Sequence, residues 1–212
     1  MIDKIKEFNK AFATEEQTLE QKKEYFLEEL MEYWNAIQLC VHSERKQNPE
    51  RALQKGYKEV FDALIDMKYV LYGIYIKEGI TEIVKNTFTD VQKINFNAYE
   101  EKRLAFESIE KLMAKNEFKT VESEINYLLC SHGMMKFFED GFKEVHASNM
   151  SKLCDNIEDA ETTQQGYSKT GMHTYIKQVS EKFAVCNKDN KVLKGINYFK
   201  PKLYDILGFD VE

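Results

Sequence analysis

Carboxylates carry the strongest chemical signal in this chain. Glu28, Glu29 and Glu32 stand together in YFLEELMEYW. On a helix, spacings of three and four residues put such side chains on adjacent turns of one face. Like charges placed so repel by roughly 0.2–0.5 kcal/mol per pair, a cost that a divalent cation reverses. The alternative use of the same residues is a solvated acidic face, since they point away from the Leu27, Leu30 and Trp34 stripe. A second group lies in EVFDALIDMKYVLYG, where Glu59, Asp62, Asp66 and Gly73 fall along one narrow line of a helix. Nearly every other position from Val60 to Tyr75 is apolar or aromatic, Lys68 being the main exception. A helix apolar almost all round is buried. Its aspartates are then protonated, paired with cations or bound to metal, unless they form a thin water-facing stripe. Asp is a poor helix former, so two of them in mid-helix call for a reason.

Across the two helices, Glu29, Glu32, Asp62 and Asp66 can converge. An all-oxygen donor set without His or Cys suits Mg²⁺, or Mn²⁺, rather than zinc. Mg²⁺ takes its remaining ligands from water and phosphates, so the expected substrate is phosphorylated and the expected reaction is attack by a metal-oriented water. Other signatures fail. Gly166 and Gly171 have the spacing of a phosphate-binding loop, but Met172 and His173 stand where Lys and Ser/Thr are needed. There is no HExxH, nucleophile elbow or dinucleotide fingerprint. No histidine follows a Glu by three residues, which weighs against a di-iron bundle.

The elements that position these residues are mostly helices. Residues 18–41 carry apolar side chains at helical spacing, and Asn48-Pro49-Glu50 has the cap, first-turn Pro and acid of a new helix that runs past Gly56 to Gly79. Helical patterns also cover residues 80–93, 99–116, 121–138 and 141–147. The polar stretch 155–171 reads as a loop with one helical turn. HTYIKQVSEKFAVCN then alternates, KDNK offers a turn and KVLK follows, which predicts a small β-hairpin or meander over 172–203. The fold class expected is a mainly α helical bundle with that β appendage, in a single domain of residues 1–212. Within it, 18–95 would be the metal-binding helical unit and 97–153 a degenerate second copy. Phe88-x-x-Val91-x-x-x-Asn95 recurs as Phe142-x-x-Val145-x-x-x-Asn149, Glu29-x-x-Glu32 has an echo in Glu107-x-x-Glu110, and Asp62 and Asp66 can be laid over Glu122 and Asn126.

EELME followed by DALIDMKYVLYG resembles the all-α nucleoside triphosphate pyrophosphohydrolases, the superfamily of MazG, phosphoribosyl-ATP pyrophosphohydrolase and the dimeric dUTPases. EVHASNMSKL and KVLKGINYFKPKL further resemble a phosphoribosyl-ATP-pyrophosphohydrolase-like subgroup. The resemblance covers residues 26–79 and 142–203. It implies a helical bundle that splits a nucleoside triphosphate to monophosphate and pyrophosphate with Mg²⁺, as a homodimer, in nucleotide-pool cleaning. If the internal repeat is real, one chain could supply a pseudo-dimer by itself. Glu29 and Glu32 match the family's ExxE ligands. Glu59-x-x-Asp62 fits the ExxD literally, while MKYVLYG aligns better with Asp66 as the aspartate, and then Ala63 replaces the glutamate. Glu28 or Glu59 would serve as general base. Asn149, Lys152, Lys191 and Lys194 would contact substrate. A phosphoribosyl-ATP-type substrate, or a catalytically weakened nucleotide-binding module, are the alternatives, and Ala63 keeps the latter open.

The bulk composition agrees with a folded globular protein, with 43% hydrophobic and 31% charged residues. A net charge of −6 lends no support to nucleic-acid or anionic-membrane partners. Cys40, Cys130, Cys154 and Cys186 are far apart, which fits reduced thiols in a cytoplasm. The first residues do not resemble a signal peptide, and no run approaches the ~18 apolar residues of a membrane span.

Overall fold

The structure, a computed structural model, describes residues 1–12, 14–90 and 99–209. It is mainly helical with a small two-stranded antiparallel sheet. The helices are α1 (Ile2–Phe12), α2 (Leu19–Val41), α3 (Pro49–Lys77), α4 (Tyr99–Ala114), α5 (Phe118–Ser131), α6 (Phe138–Met150), α7 (Ile157–Ser168) and α8 (Leu203–Leu207). Strands β1 (Thr174–Val179) and β2 (Lys182–Asn187) follow α7. The chain forms two compact units. One holds the described residues of 17–142 and 202–212, the other those of 1–16 and 143–201. Val91 and Asn95 of the expected internal repeat lie outside the described residues.

In the first unit, α2, α3, α5 and α4 pack in a ring, each against two neighbours, around a core that includes Phe26, Leu30, Tyr33, Val60, Leu64, Tyr72, Ile109, Val121 and Ile125. Burying each large apolar side chain contributes about 1.5–3 kcal/mol. The ends of the first hairpin are specified locally. Thr18 caps α2 in a reciprocal capping box with Gln21, and Asn48 caps α3 with Pro49 in its first turn. The two helices run antiparallel. Gly56, early in α3, lies against Cys40 and Ala36, late in α2, whereas Gly73, late in α3, lies against Lys22, early in α2. A Cβ on Gly56 would stand 2.5 Å from Cys40 Sγ and 3.0 Å from Cys40 N, so only glycine permits that approach.

In the second unit, the β-hairpin turns at Ser180–Glu181, with Val179 paired to Lys182. One cluster joins Phe12, Leu153, Val179, Ala184 and Cys186, and another joins Cys154, Ala160 and Val185. KDNK makes a second turn, after which Val192 bridges to Cys186.

Several sequence expectations are corrected. Residues 80–90 are not helical. Their polar groups are engaged elsewhere: Val84 N–H donates to Glu122, and Asp90 accepts from the Met135 and Lys136 N–H groups. The β-branched Ile80, Thr81, Ile83, Val84, Thr87 and Thr89 add to the cost of a helix there. The end of that expected helix, residues 91–93, lies outside the described residues. The single helix expected over 121–138 breaks at Gly133, which is left-handed at φ 64°, and α6 begins at Phe138. The expected loop at 155–171 is the helix α7, capped by Asn156 and burying only Ala160 and Thr163. Helices α1 and α8 form where the sequence pattern predicts none.

Candidate functional site

The hairpin of α2 and α3 sets the candidate carboxylates at one level. Lys22, Glu29 and Ala36 are seven residues apart on α2, two turns each, so they share one row. Lys22 and Ala36 both touch α3, and Glu29 stands midway between them, half-buried. On α3, Glu59, Asp66 and Gly73 form another seven-residue row. The two close approaches put Glu29 within a turn of the level of Asp66, and Glu32 within a turn of the level of Asp62. Asp62 and Asp66 are half-buried, while Glu28 and Glu32 are exposed. Glu29 is thus the least exposed of these three glutamates on α2. The buried stripe of α2 runs through Phe26, Leu30, Tyr33 and Ile37, with Leu27 and Trp34 only half-buried.

Lys58 places a cation at this level. Its ammonium donates to Asp62 Oδ2 at 2.7 Å and approaches Glu59 Oε2 at 3.4 Å. Burial would lower its pKa, but Asp62 and Glu59 more than offset this, and the ammonium is held above its ordinary value. Among the described residues, no group of three or more His, Cys, Asp and Glu side chains is drawn together as a metal site. Glu29, Glu32, Asp62 and Asp66 are all oxygen donors, the ligand type a hard cation takes, but they are not gathered into one group. In this arrangement an ammonium neutralises Asp62.

A second charged cluster is fully buried behind α3. Glu122 of α5 accepts from Tyr72 Oη at 2.8 Å, Tyr75 Oη at 2.9 Å and Val84 N at 2.9 Å. Lys68 Nζ lies 3.2 Å from Glu122 and donates to Asn126 Oδ1 at 2.7 Å. Burial lowers the Lys68 pKa, against the opposing pull of Glu122, and raises those of Tyr72 and Tyr75. Glu122 and Asn126 are the residues that the sequence echo allows to be laid over Asp62 and Asp66. Here a carboxylate and an amide are closed on a lysine, whereas Asp62 and Asp66 are half-buried. Tyr72 is thus a core residue, as is Tyr69, which is 6% exposed.

The proposed substrate contacts lie in the other unit. SNMSK ends α6, and the KVLKGINYFK segment lies against it: Ser148 Oγ donates to Phe199 O at 2.8 Å, and Phe199 N donates to Ser151 Oγ at 3.2 Å. Lys152 donates to Asn149 Oδ1 at 2.5 Å, so these two candidates hold each other. Lys194 Nζ sits 4.8 Å from the Tyr198 ring centroid. Lys191 follows the KDNK turn, where its backbone N–H donates to Asn187 Oδ1. Both lysines therefore follow the hairpin rather than belonging to it. His146 is packed against Glu7 at 3.3 Å, and burial lowers its pKa.

Lys58 does not stand out in the sequence as a site residue, although, one position before Glu59 and four before Asp62, it has a readable ion-pair spacing. The four cysteines are buried and free, and among the described residues no helix is long and apolar enough to cross a membrane. No family model matches the chain, and no curated protein or solved structure matches it.

Proposed function

We propose that this chain is a Mg²⁺-dependent pyrophosphohydrolase of nucleoside triphosphates, with its site on the α2–α3 hairpin. The observation that carries the reading is the common level of Glu29 and Glu32 with Asp66 and Asp62 on two antiparallel helices. Glu29, Glu32, Asp62 and Asp66 would hold the metal ion, Mg²⁺ or Mn²⁺. When bound, it supplies charge neutralisation of the phosphates. The half-buried flank of α3 limits water around the carboxylates, which strengthens their hold on a cation. Glu59, in the same row as Asp66, or Glu28 is the candidate to accept the proton of an attacking water. Asn149, Lys152, Lys191 and Lys194 are proposed as substrate contacts, with lysines as point charges for phosphate. The homodimer implied by the resemblance, and a cytoplasmic role in nucleotide-pool cleaning, belong to the same proposal.

The test is pyrophosphate release from a panel of canonical and modified nucleoside triphosphates, with Mg²⁺ and with EDTA. Release should require the metal and fall about 100-fold or more in Asp62→Asn and Glu29→Gln, as for loss of a metal-held charge. Activity unchanged in both variants would place the metal elsewhere. A second reading, a nucleotide-binding module with weakened catalysis, is favoured by the Lys58–Asp62 contact. It predicts saturable nucleotide binding without turnover, and turnover restored or enhanced in Lys58→Ala.

A further inference from the structure

Residues 80–90 begin just after Gly79, which is left-handed at φ 68°, and run along α5 without forming helix or strand. None of them is buried. Ile80, Ile83, Val84 and Asp90 are half-buried, and Phe88 is 40% exposed. The groups they touch are different. Glu122 is 0% exposed and Cys130 is 1% exposed. A segment that is not itself buried thus covers a buried carboxylate and a buried thiol.

The segment is held mainly by polar contacts. Val84 N–H donates to Glu122 Oε2 at 2.9 Å, and Asn86 Nδ2 donates to Cys130 Sγ at 3.5 Å. The Phe88 and Tyr127 rings meet edge to face at 5.6 Å, both more than a third exposed. At the far end, Asp90 accepts from Met135 N at 3.2 Å and Lys136 N at 3.1 Å, one on each carboxylate oxygen. Glu82 and Lys119 lie 3.4 Å apart, and an ion pair so exposed contributes little. Little buried apolar surface and partly solvated hydrogen bonds mark a segment that opens at a lower free energy than the helices beside it.

We propose that residues 80–90 are a strap that opens as a unit while the helices stay folded, with Asp90 as its latch, and that its opening admits water to Glu122 and Cys130. The open strap withdraws Val84 N–H from Glu122. The bonds from Tyr72 and Tyr75 and the ion pair with Lys68 remain, because they lie between α3 and α5. The strap therefore controls the hydration of the buried pair that ties these two helices together. Its opening involves no metal or nucleotide, so it is independent of the pyrophosphohydrolase reading.

The test combines amide hydrogen exchange at Val84 with iodoacetamide alkylation at Cys130 and Cys40. Both are read by mass spectrometry on the full chain, in rising urea below the unfolding transition. Cys40, buried against Gly56 between α2 and α3, reports opening of the helical core. Urea dependence scales with the surface that an opening exposes, so Val84 and Cys130 should respond weakly and Cys40 steeply. Asp90→Ala should speed Val84 exchange about tenfold or more, as for loss of charge-assisted hydrogen bonds. Burial raises the Cys130 thiol pKa and neighbouring Asp90 adds to this, so the amide rather than the thiol decides that step. Thr18→Ala, which uncaps α2, should speed Cys40 several-fold and leave Val84 and Cys130 unchanged. Urea dependence at Val84 as steep as at Cys40, or equal acceleration of all three sites in Thr18→Ala, overturns the strap as a separate unit. Unchanged Val84 exchange in Asp90→Ala overturns Asp90 as its latch.

Discussion

Replacing Lys68 by Met tests how the buried charges behind α3 are held. Lys68 is 3% exposed and Glu122 is fully buried, 3.2 Å apart. With Lys68 gone, Glu122 still accepts from Tyr72, Tyr75 and Val84 N–H, but its carboxylate has no counter-charge, and Asn126 Oδ1 loses its donor. Breaking one side of a buried pair costs about 3–5 kcal/mol. Glu122→Gln strands the Lys68 ammonium in the same way and should cost a similar amount. The double variant removes both charges and keeps an amide oxygen to accept from the two tyrosines and Val84. Its loss should fall short of the sum of the single losses by about 1–3 kcal/mol, the range of couplings between residues in contact. Urea unfolding of the four proteins, followed by far-ultraviolet dichroism, reads all four corners of the cycle. Additive losses would refute the pairing, and a Lys68→Met loss below about 1 kcal/mol would show that the cluster is solvated.

His132, fully buried and 3.3 Å from Tyr33 Oη, has its pKa lowered to about 3 from 6.5 by burial and then by Lys102. The unfolded chain then binds the extra proton first, so stability should fall as pH drops from about 6.5 towards 3, by at most about 5 kcal/mol at 1.36 kcal/mol per pH unit. Thermal melts of His132→Gln should show a flatter slope over that window, and an unchanged slope would remove His132 as the cause. Gly56→Ala gains about 1 kcal/mol of helix propensity but forces a Cβ to 2.5 Å from Cys40 Sγ, so a net loss of about 1–3 kcal/mol is expected, partly recovered by adding Cys40→Ala. A more stable Gly56→Ala would show that the helices can separate freely. Thr18→Ala removes the capping box of α2 and should cost about 1 kcal/mol in urea melts; no change would make the box incidental.

Local chemistry makes much of this fold legible in the sequence. The start of α3 is written in Asn48-Pro49-Glu50, and its burial follows from an apolar surface on nearly every side of VFDALIDMKYVLYG. The carboxylate spacings are equally local, because helical geometry alone puts residues three, four and seven apart on neighbouring turns. The departures share a cause. Helix α7 is polar and buries little, so periodicity has nothing to report there. Residues 80–90 carry a helical pattern, but their N–H groups and side chains are claimed by Glu122, Met135 and Lys136, partners about 40 residues away in sequence. Which side of α2 is inner is also decided at a distance. Gly56 permits the close docking of the hairpin, in which Lys22 is buried and Glu29 half-buried. Lys58 and Lys68 look alike in sequence, each a lysine on α3, yet one meets Asp62 at the half-buried flank and the other Glu122 in the core. A sequence states which charges a helix carries. Which of them are paired, and at what cost in lost hydration, depends on the surface that packs against each face, and only the tertiary structure supplies that.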